Sequence, residues 1–243
     1  NVAVLTMNNP PANTWTQDTL TALKDTVTEL NANKNVYALV ITGQGEKFFS
    51  AGADLNVFAS GDKGVAATMS KVFGDAFEAL TNFRGVSIAA INGYAMGGGL
   101  EVALACDIRI AEEQAQMALP EAKVGLLPCA GGTQNLAWLV GEGWAKRMIL
   151  CGERLKADKA REIGLVEEVV GAGESLAAAM KLANQVGEQS PVAVTACKEL
   201  IQKGRTQPMA HALPLERELF VQLFDTQDQK EGVNAFLEKR KAN

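Results

Sequence analysis

Short apolar runs alternating with helical periods constrain this chain more than any other feature. Val36 to Thr42 and Val86 to Ile91 read as buried strands, and Ile108 to Ala111 as a third. Val2 to Thr6 reads as an opening strand, closed by the turn Asn8-Asn9-Pro10-Pro11. Between them, Thr16 to Asn31 carries Leu20, Leu23, Val27 and Leu30 on one helical face. Ala66 to Phe83 has its stripe in Met69, Val72, Phe73, Ala76, Phe77 and Leu80. Strands that alternate with helices predict βαβ units, a mainly parallel sheet and the α/β class. Beyond about Gly131 the pattern turns helical, apart from an apolar Leu165 to Val170. Breakers at Gly171-Ala172-Gly173 and Ser190-Pro191 interrupt that region. The 243 residues are therefore read as a core domain over 1–190 and a helical C-terminal region over 191–243.

Charge narrows the function classes. A net charge of -5 argues against a general nucleic-acid or anionic-membrane surface, while leaving room for a local basic pocket. No apolar run approaches the ~20 residues of a membrane span. Cys106, Cys129, Cys151 and Cys197 are irregularly spaced, with no C-x-x-C pair, and read as buried free thiols in a reducing compartment. No signal peptide is visible, so the expected location is cytoplasmic. The chain starts at Asn1 rather than methionine, which leaves a trimmed leader and a mitochondrial matrix location open.

Several chemistries are excluded by residue type. The single histidine, His211, lies in the late helical region, and no G-x-S-x-G elbow is present, so a Ser-His-Asp site has no support. A histidine-rich metal site is impossible within one chain, and no metal site is expected. Neither Gly43-Gln44-Gly45 nor Gly93 to Gly99 completes a dinucleotide fingerprint, and no P-loop is found.

Two glutamates stand out instead. Glu101 follows a glycine triplet in Gly97-Gly98-Gly99-Leu100-Glu101, and Glu121 follows proline in Ala118-Leu119-Pro120-Glu121. Most glutamates are solvated surface charges. Glu101, however, heads the apolar run Val102-Ala103-Leu104-Ala105, whose helix should be buried. A buried carboxylate needs a partner or a task. Two carboxylates in different surroundings can divide acid and base work. Glu121 also fits a plain helix-start charge. The glycine triplet alone fits a tight turn without a ligand, and Phe49-Ser50-Ala51-Gly52-Ala53-Asp54-Leu55 fits an ordinary loop. If one N–H from each loop converges, the pair forms an oxyanion hole.

Taken together, these segments resemble the crotonase (enoyl-CoA hydratase/isomerase) family. The likeness runs from Val4-Leu5-Thr6-Met7-Asn8-Asn9-Pro10 to Lys230 through Arg240. It includes Asn92 to Glu101, Ala105-Cys106-Asp107, Pro120-Glu121 and Ala130-Gly131-Gly132-Thr133-Gln134. The resemblance implies a spiral of ββα turns with a C-terminal helical trimerisation region, assembled as a homohexamer, a dimer of trimers. It implies an acyl-CoA substrate and no cofactor, coenzyme A being part of the substrate. It places the thioester oxygen on the N–H groups of Ala53 and Gly98, and CoA near Ala51, Asp54 and Leu55. Lys47 would approach a CoA phosphate, and Phe236 and Lys239 would complete a neighbouring subunit's CoA site.

The activity implied is hydration of a 2-enoyl-CoA to 3-hydroxyacyl-CoA. Glu101 is assigned as base and Glu121 as acid: the helix dipole should favour a charged Glu101, and apolar neighbours a neutral Glu121. Three departures from the family pattern are Cys129 for a common glycine beside the water site, Asn56 for a frequent lysine and Asn135 for a frequent arginine. Alternative readings are double-bond isomerisation, RNA binding and a catalytically silent assembly subunit. Thr16 to Lys34 holds only Lys24 and Lys34 as basic residues, so no RNA-binding comb is apparent.

Overall fold

The computed structural model describes residues 1–242; Asn243, the last residue of the expected C-terminal region, lies outside them. The chain opens with β1 (Val2–Met7), α1 (Gln17–Ala32), β2 (Ala38–Gly43) and β3 (Phe48–Ser50). Then follow α2 (Lys63–Thr81), β4 (Val86–Ile91), β5 (Tyr94–Met96), α3 (Gly98–Ala105), β6 (Ile108–Glu112) and β7 (Gln116–Ala118). After these come α4 (Gly132–Leu150), β8 (Leu155–Lys156), α5 (Ala157–Glu162), β9 (Glu168–Val170) and α6 (Ser175–Val186). The chain ends in α7 (Pro191–Lys203), α8 (Met209–Gln222) and α9 (Gln227–Leu237).

The α/β reading holds. One sheet has the order β1-β2-β4-β6-β9, all parallel. Its register stacks Val4 beside Val40, Val40 beside Ile88 and Ile88 beside Ile108. All six residues of β2 are buried, which is why that segment reads as an unbroken apolar run. Helices α1 and α2 pack together over this core. Thr16 caps α1 in a reciprocal pair with Thr19, and α1 buries Leu20, Leu23 and Val27. Asp62 caps α2 through a 2.9 Å bond from the Val65 N–H, and α2 buries Met69, Phe73, Ala76, Phe77 and Leu80.

The second sheet, β3-β5-β7-β8, is built of strands only two or three residues long. Its pairs β3/β5 and β5/β7 are parallel. Each successive turn of the chain contributes one strand to the large sheet, one to the small sheet, and then a helix. The units β2-β3-α2, β4-β5-α3 and β6-β7-α4 repeat this ββα pattern. Parallel neighbours in the small sheet bring the segments following β3, β5 and β7 to one edge. Those segments hold Ala53, then Gly98 and Glu101, then Glu121.

The described chain forms two compact units. The first covers Asn1–Ala183, and the second, beginning at Asn184, contains α7, α8 and α9. Ser190 caps α7 and donates a 2.6 Å bond to Asp228 at the start of α9. The second unit carries many exposed apolar side chains, among them Phe220, Phe224, Phe236 and Leu237.

The expectation of buried thiols needs correction. Only Cys106 is buried; Cys129, Cys151 and Cys197 are exposed. Cys129 faces a cavity, and Cys151 caps the end of α4 where the chain turns away. Among the described residues no helix is long and apolar enough to cross a membrane. No group of three or more His, Cys, Asp or Glu among them is arranged to hold a metal ion.

Candidate active site

A cavity of about 620 Å³ opens at the shared edge of β3, β5 and β7. Ala51 and Ala53 reach it from the first loop, Gly98 and Glu101 from the second, and Glu121 and Cys129 from the third. Phe58, Phe73, Leu126 and Leu127 supply much of its apolar wall. Ligands commonly bind beyond the carboxyl ends of parallel strands, because the loops there converge.

Gly52 brings the first two loops together. It sits at φ +91°, and a Cβ on it would stand 2.6 Å from the Met96 carbonyl oxygen and 3.1 Å from the Gly98 nitrogen. Only glycine permits that approach in that conformation. On its other side, Gly52 O accepts a 2.8 Å bond from the Trp15 N–H, and Asp54 N–H donates to Trp15 O at 3.0 Å. This bridge leaves the Ala53 N–H unused. Gly98 is the first residue of α3, where a helix supplies no acceptor. Neither N–H donates to a protein acceptor among the described residues. Two main-chain donors therefore flank the cavity without partners.

Buried polar side chains fix these loops. Asn13 Nδ2 donates to Gln44 O at 3.0 Å and to Phe48 O at 2.9 Å, and Ser50 Oγ donates to Asn13 O at 2.7 Å. Asn92 Nδ2 bonds Gly43 O at 2.9 Å and Gly45 O at 2.7 Å. Such fully satisfied networks hold a loop in one geometry.

Glu101 lies in α3, all eight residues of which are buried. Its Oε1 accepts the Ala130 N–H at 2.8 Å and the Gly132 N–H at 2.9 Å. Burial pushes its pKa above the ordinary carboxylate value, while the Gly132 and Ala130 N–H groups pull it back. Desolvation thus outweighs the lowering expected from a helix dipole. The main-chain donors to Glu101 also come from the turn entering α4 and from the first residue of that helix, not from the start of α3. Gly132 is constrained by this contact: a Cβ there would lie 2.8 Å from Oε1.

Glu121 opens a single 3-10 turn, Glu121–Val124, after Pro120. Its carboxyl lies over Gly97, and its Oε2 is buried with no hydrogen-bond partner among the described residues. Burial, reinforced by the nearby Glu101 charge, raises its pKa to about 7; a bond from its own backbone N–H opposes this. A carboxyl with that pKa is available as an acid near neutrality. The Cys129 thiol is pushed up to about 11 by burial and by the charges of Glu101 and Glu121, so it stays neutral.

The structure places the other sequence-derived residues unevenly. Ala51 and Leu55 line the cavity. Asp54 instead turns to the short helix after it, accepting the Asn56 N–H at 3.0 Å and Asn56 Nδ2 at 2.8 Å. Lys47 is exposed on the loop before β3, its ammonium 5.3 Å from the centre of the Phe48 ring. Phe236 and Lys239 belong to the second unit, with Phe236 83% exposed. Sequence reasoning gave no role to the Ala130 and Gly132 N–H groups. The small-residue run Ala130-Gly131-Gly132 was the available signal.

Two carboxylates of different environment, set beside two unpartnered main-chain N–H groups on an apolar cavity, define an acid–base site suited to a carbonyl ligand. Comparison with known proteins narrows the class. The family model described as enoyl-CoA hydratase/isomerase matches residues 1–243. A short-chain-enoyl-CoA hydratase of Clostridium acetobutylicum is 41% identical over 249 residues, covering 99% of this chain and 92% of that protein. The solved structure of Pseudomonas aeruginosa DspI has 66% identity and a TM-score of 0.98, covering 100% of this chain and 92% of its own. That of an enoyl-CoA hydratase from Bacillus anthracis has 36% identity and a TM-score of 0.96, covering 100% and 94%. The chain belongs to the crotonase, or enoyl-CoA hydratase/isomerase, family.

Proposed function

We propose that this protein is an enoyl-CoA hydratase, adding water across the 2,3 double bond of a 2-enoyl-CoA to give a 3-hydroxyacyl-CoA. The observation that carries the reading is the presence of both Glu101 and Glu121 on one cavity with the free Ala53 and Gly98 N–H groups. Isomerisation of a double bond needs only one carboxylate to move a proton, whereas hydration employs two.

The steps follow from charge. The thioester oxygen accepts the Ala53 and Gly98 N–H groups, and negative charge develops on it as C3 is attacked. Fixed dipoles in an apolar cavity stabilise that charge without titrating. Charged Glu101, held by two N–H bonds on Oε1, orients a water molecule and takes its proton as the oxygen bonds to C3. Neutral Glu121 delivers a proton to C2. The two groups interact, so the protons belong to the pair.

Ala51 and Leu55 would flank the CoA moiety, with Asp54 on the same loop and Lys47 on the loop before β3. The exposed ammonium of Lys47 suits a phosphate. Phe236 and Lys239 would serve the CoA site of a neighbouring subunit. The exposed apolar side chains of the second unit support assembly through α7, α8 and α9, with a homohexamer as the expected state. The closest rival activity is isomerisation by the same cavity.

Incubation with 2-enoyl-CoA esters of increasing length, in the presence of EDTA, tests the reading. Loss of enoyl absorbance with formation of 3-hydroxyacyl-CoA is expected. Absence of hydration across short and medium chains would overturn it.

A further inference from the structure

A second cavity, of about 350 Å³, lies on the other side of the segment that holds Glu101. Cys129 lines both cavities. Next to it, Ala130 and Gly131 form the wall of the second one, and the Ala130 N–H is a donor to Glu101. The far side is formed by the C-terminal half of α2, through Gly74, Glu78, Thr81 and Asn82, and by Asn135 at the start of α4. Glu78 and Asn82 are exposed, so this cavity communicates with solvent. Its lining is more polar than that of the catalytic cavity. One is walled largely by Phe58, Phe73, Leu126 and Leu127; the other sets Phe77 beside the Glu78 carboxylate, the Thr81 hydroxyl and the amides of Asn82 and Asn135.

We propose that this polar cavity is the water entrance to the Glu101/Glu121 pair, with Cys129 as the partition that water passes. The proposal rests on the hydratase reading. Hydration consumes one water per turnover: its oxygen bonds to C3, its proton goes to Glu101, and C2 takes the proton of Glu121. An acyl-CoA in the catalytic cavity displaces the water held there, and an apolar wall supplies no hydrogen bonds to guide a replacement. The amides of Asn82 and Asn135 do supply them; the Thr81 hydroxyl is engaged with Ala105 O at 3.3 Å. Two of the three departures from the family pattern, Cys129 and Asn135, border this one cavity. The Asn135 amide nitrogen lies 3.0 Å from where a Cβ of Gly131 would stand, placing it against the turn that holds Glu101. An acyl tail is the poorer occupant, because it would find Phe77 set among Glu78, Asn82 and Asn135, while the catalytic cavity offers it Phe58, Phe73, Leu126 and Leu127.

The test uses two variants outside the catalytic cavity. Gly74→Phe fills the second cavity from α2; a Cβ at Gly74 meets only Glu78 Oε1, at an ordinary 3.7 Å. Asn135→Leu keeps nearly the same shape and removes the hydrogen-bonding amide. The kcat for hydration and the Kd for saturated acyl-CoA esters of the same lengths are measured for each variant beside the unmodified protein. A fall in kcat of about tenfold, with Kd unchanged at every chain length, is the expected result. A Kd that weakens progressively with chain length would overturn the proposal by identifying the cavity as an acyl subsite. Unchanged kcat in a folded Asn135→Leu protein would overturn it too, whether or not Gly74→Phe folds. If the unmodified protein hydrates no enoyl-CoA, the hydratase reading fails and the water entrance falls with it.

Discussion

Gly132→Ala tests whether main-chain donors hold Glu101 in working position. The added Cβ would stand 2.8 Å from Glu101 Oε1, 3.0 Å from Glu101 Cγ and 2.9 Å from Pro128 Cβ. Ordinary contact starts at 3.4 Å, so the carboxylate must retreat by roughly half an ångström. The Gly132 N–H bond, 2.9 Å long, is then stretched toward the limit of a hydrogen bond. Hydrogen bonds to charged groups contribute about 1.5–3 kcal/mol. Partial loss of one, with the base displaced, should slow hydration by roughly ten- to a hundredfold. The backbone itself loses little, because Gly132 has no positive φ and alanine suits a helix start. The pH profile supplies an independent signature. The Gly132 and Ala130 N–H bonds lower the pKa of Glu101, so weakening them raises it. A base that must be deprotonated then works only at higher pH, and the acidic limb of kcat/KM moves upward. Steady-state loss of crotonyl-CoA absorbance, a pH series and a thermal melt read all three quantities. A folded Gly132→Ala protein with wild-type kcat and an unmoved acidic limb would refute the positioning argument.

Glu101→Gln and Glu121→Gln should each fold and lose about 10²–10⁴-fold in hydration, since the amide keeps the shape and removes the proton transfer. Near-normal turnover by either variant removes that residue from the mechanism. With Glu121 at about 7 and required in its neutral form, kcat/KM for hydration should decline as pH rises through that value. A profile flat up to about pH 9 contradicts the assignment of Glu121 as acid. Light scattering at micromolar concentration should report a hexamer, and a monomer would argue against assembly through the second unit. Cys129→Phe should melt normally yet obstruct turnover, because Cys129 lines the catalytic cavity; full activity in that folded variant would place its side chain outside the reaction path.

The sequence by itself determined the elements of the large sheet and the helices around it. β2 and β4 are buried along both faces and correspondingly apolar, so they announce themselves in one dimension. The stripes of α1 and α2 were legible because each helix buries one face, with Leu30 and Val72 only half-buried. Glu101 was legible because a carboxylate heading the wholly apolar α3 contradicts its surroundings. The small sheet was not. β3, β5 and β7 are three residues each, too short to show a period, and they exist only because each pairs with its neighbour. That pairing is what gathers loops separated by tens of residues onto one edge. It decides that Ala53, Gly98, Glu101 and Glu121 share a cavity, and that the N–H groups of Ala130 and Gly132 meet the Glu101 carboxylate. Only the tertiary structure decided the electrostatics as well. α3 looked placed to favour charge on Glu101, but a helix dipole acts locally, whereas desolvation is set by everything packed around the group. Burial therefore raises both carboxylates, and the difference between them lies in which one receives main-chain hydrogen bonds from a distant turn.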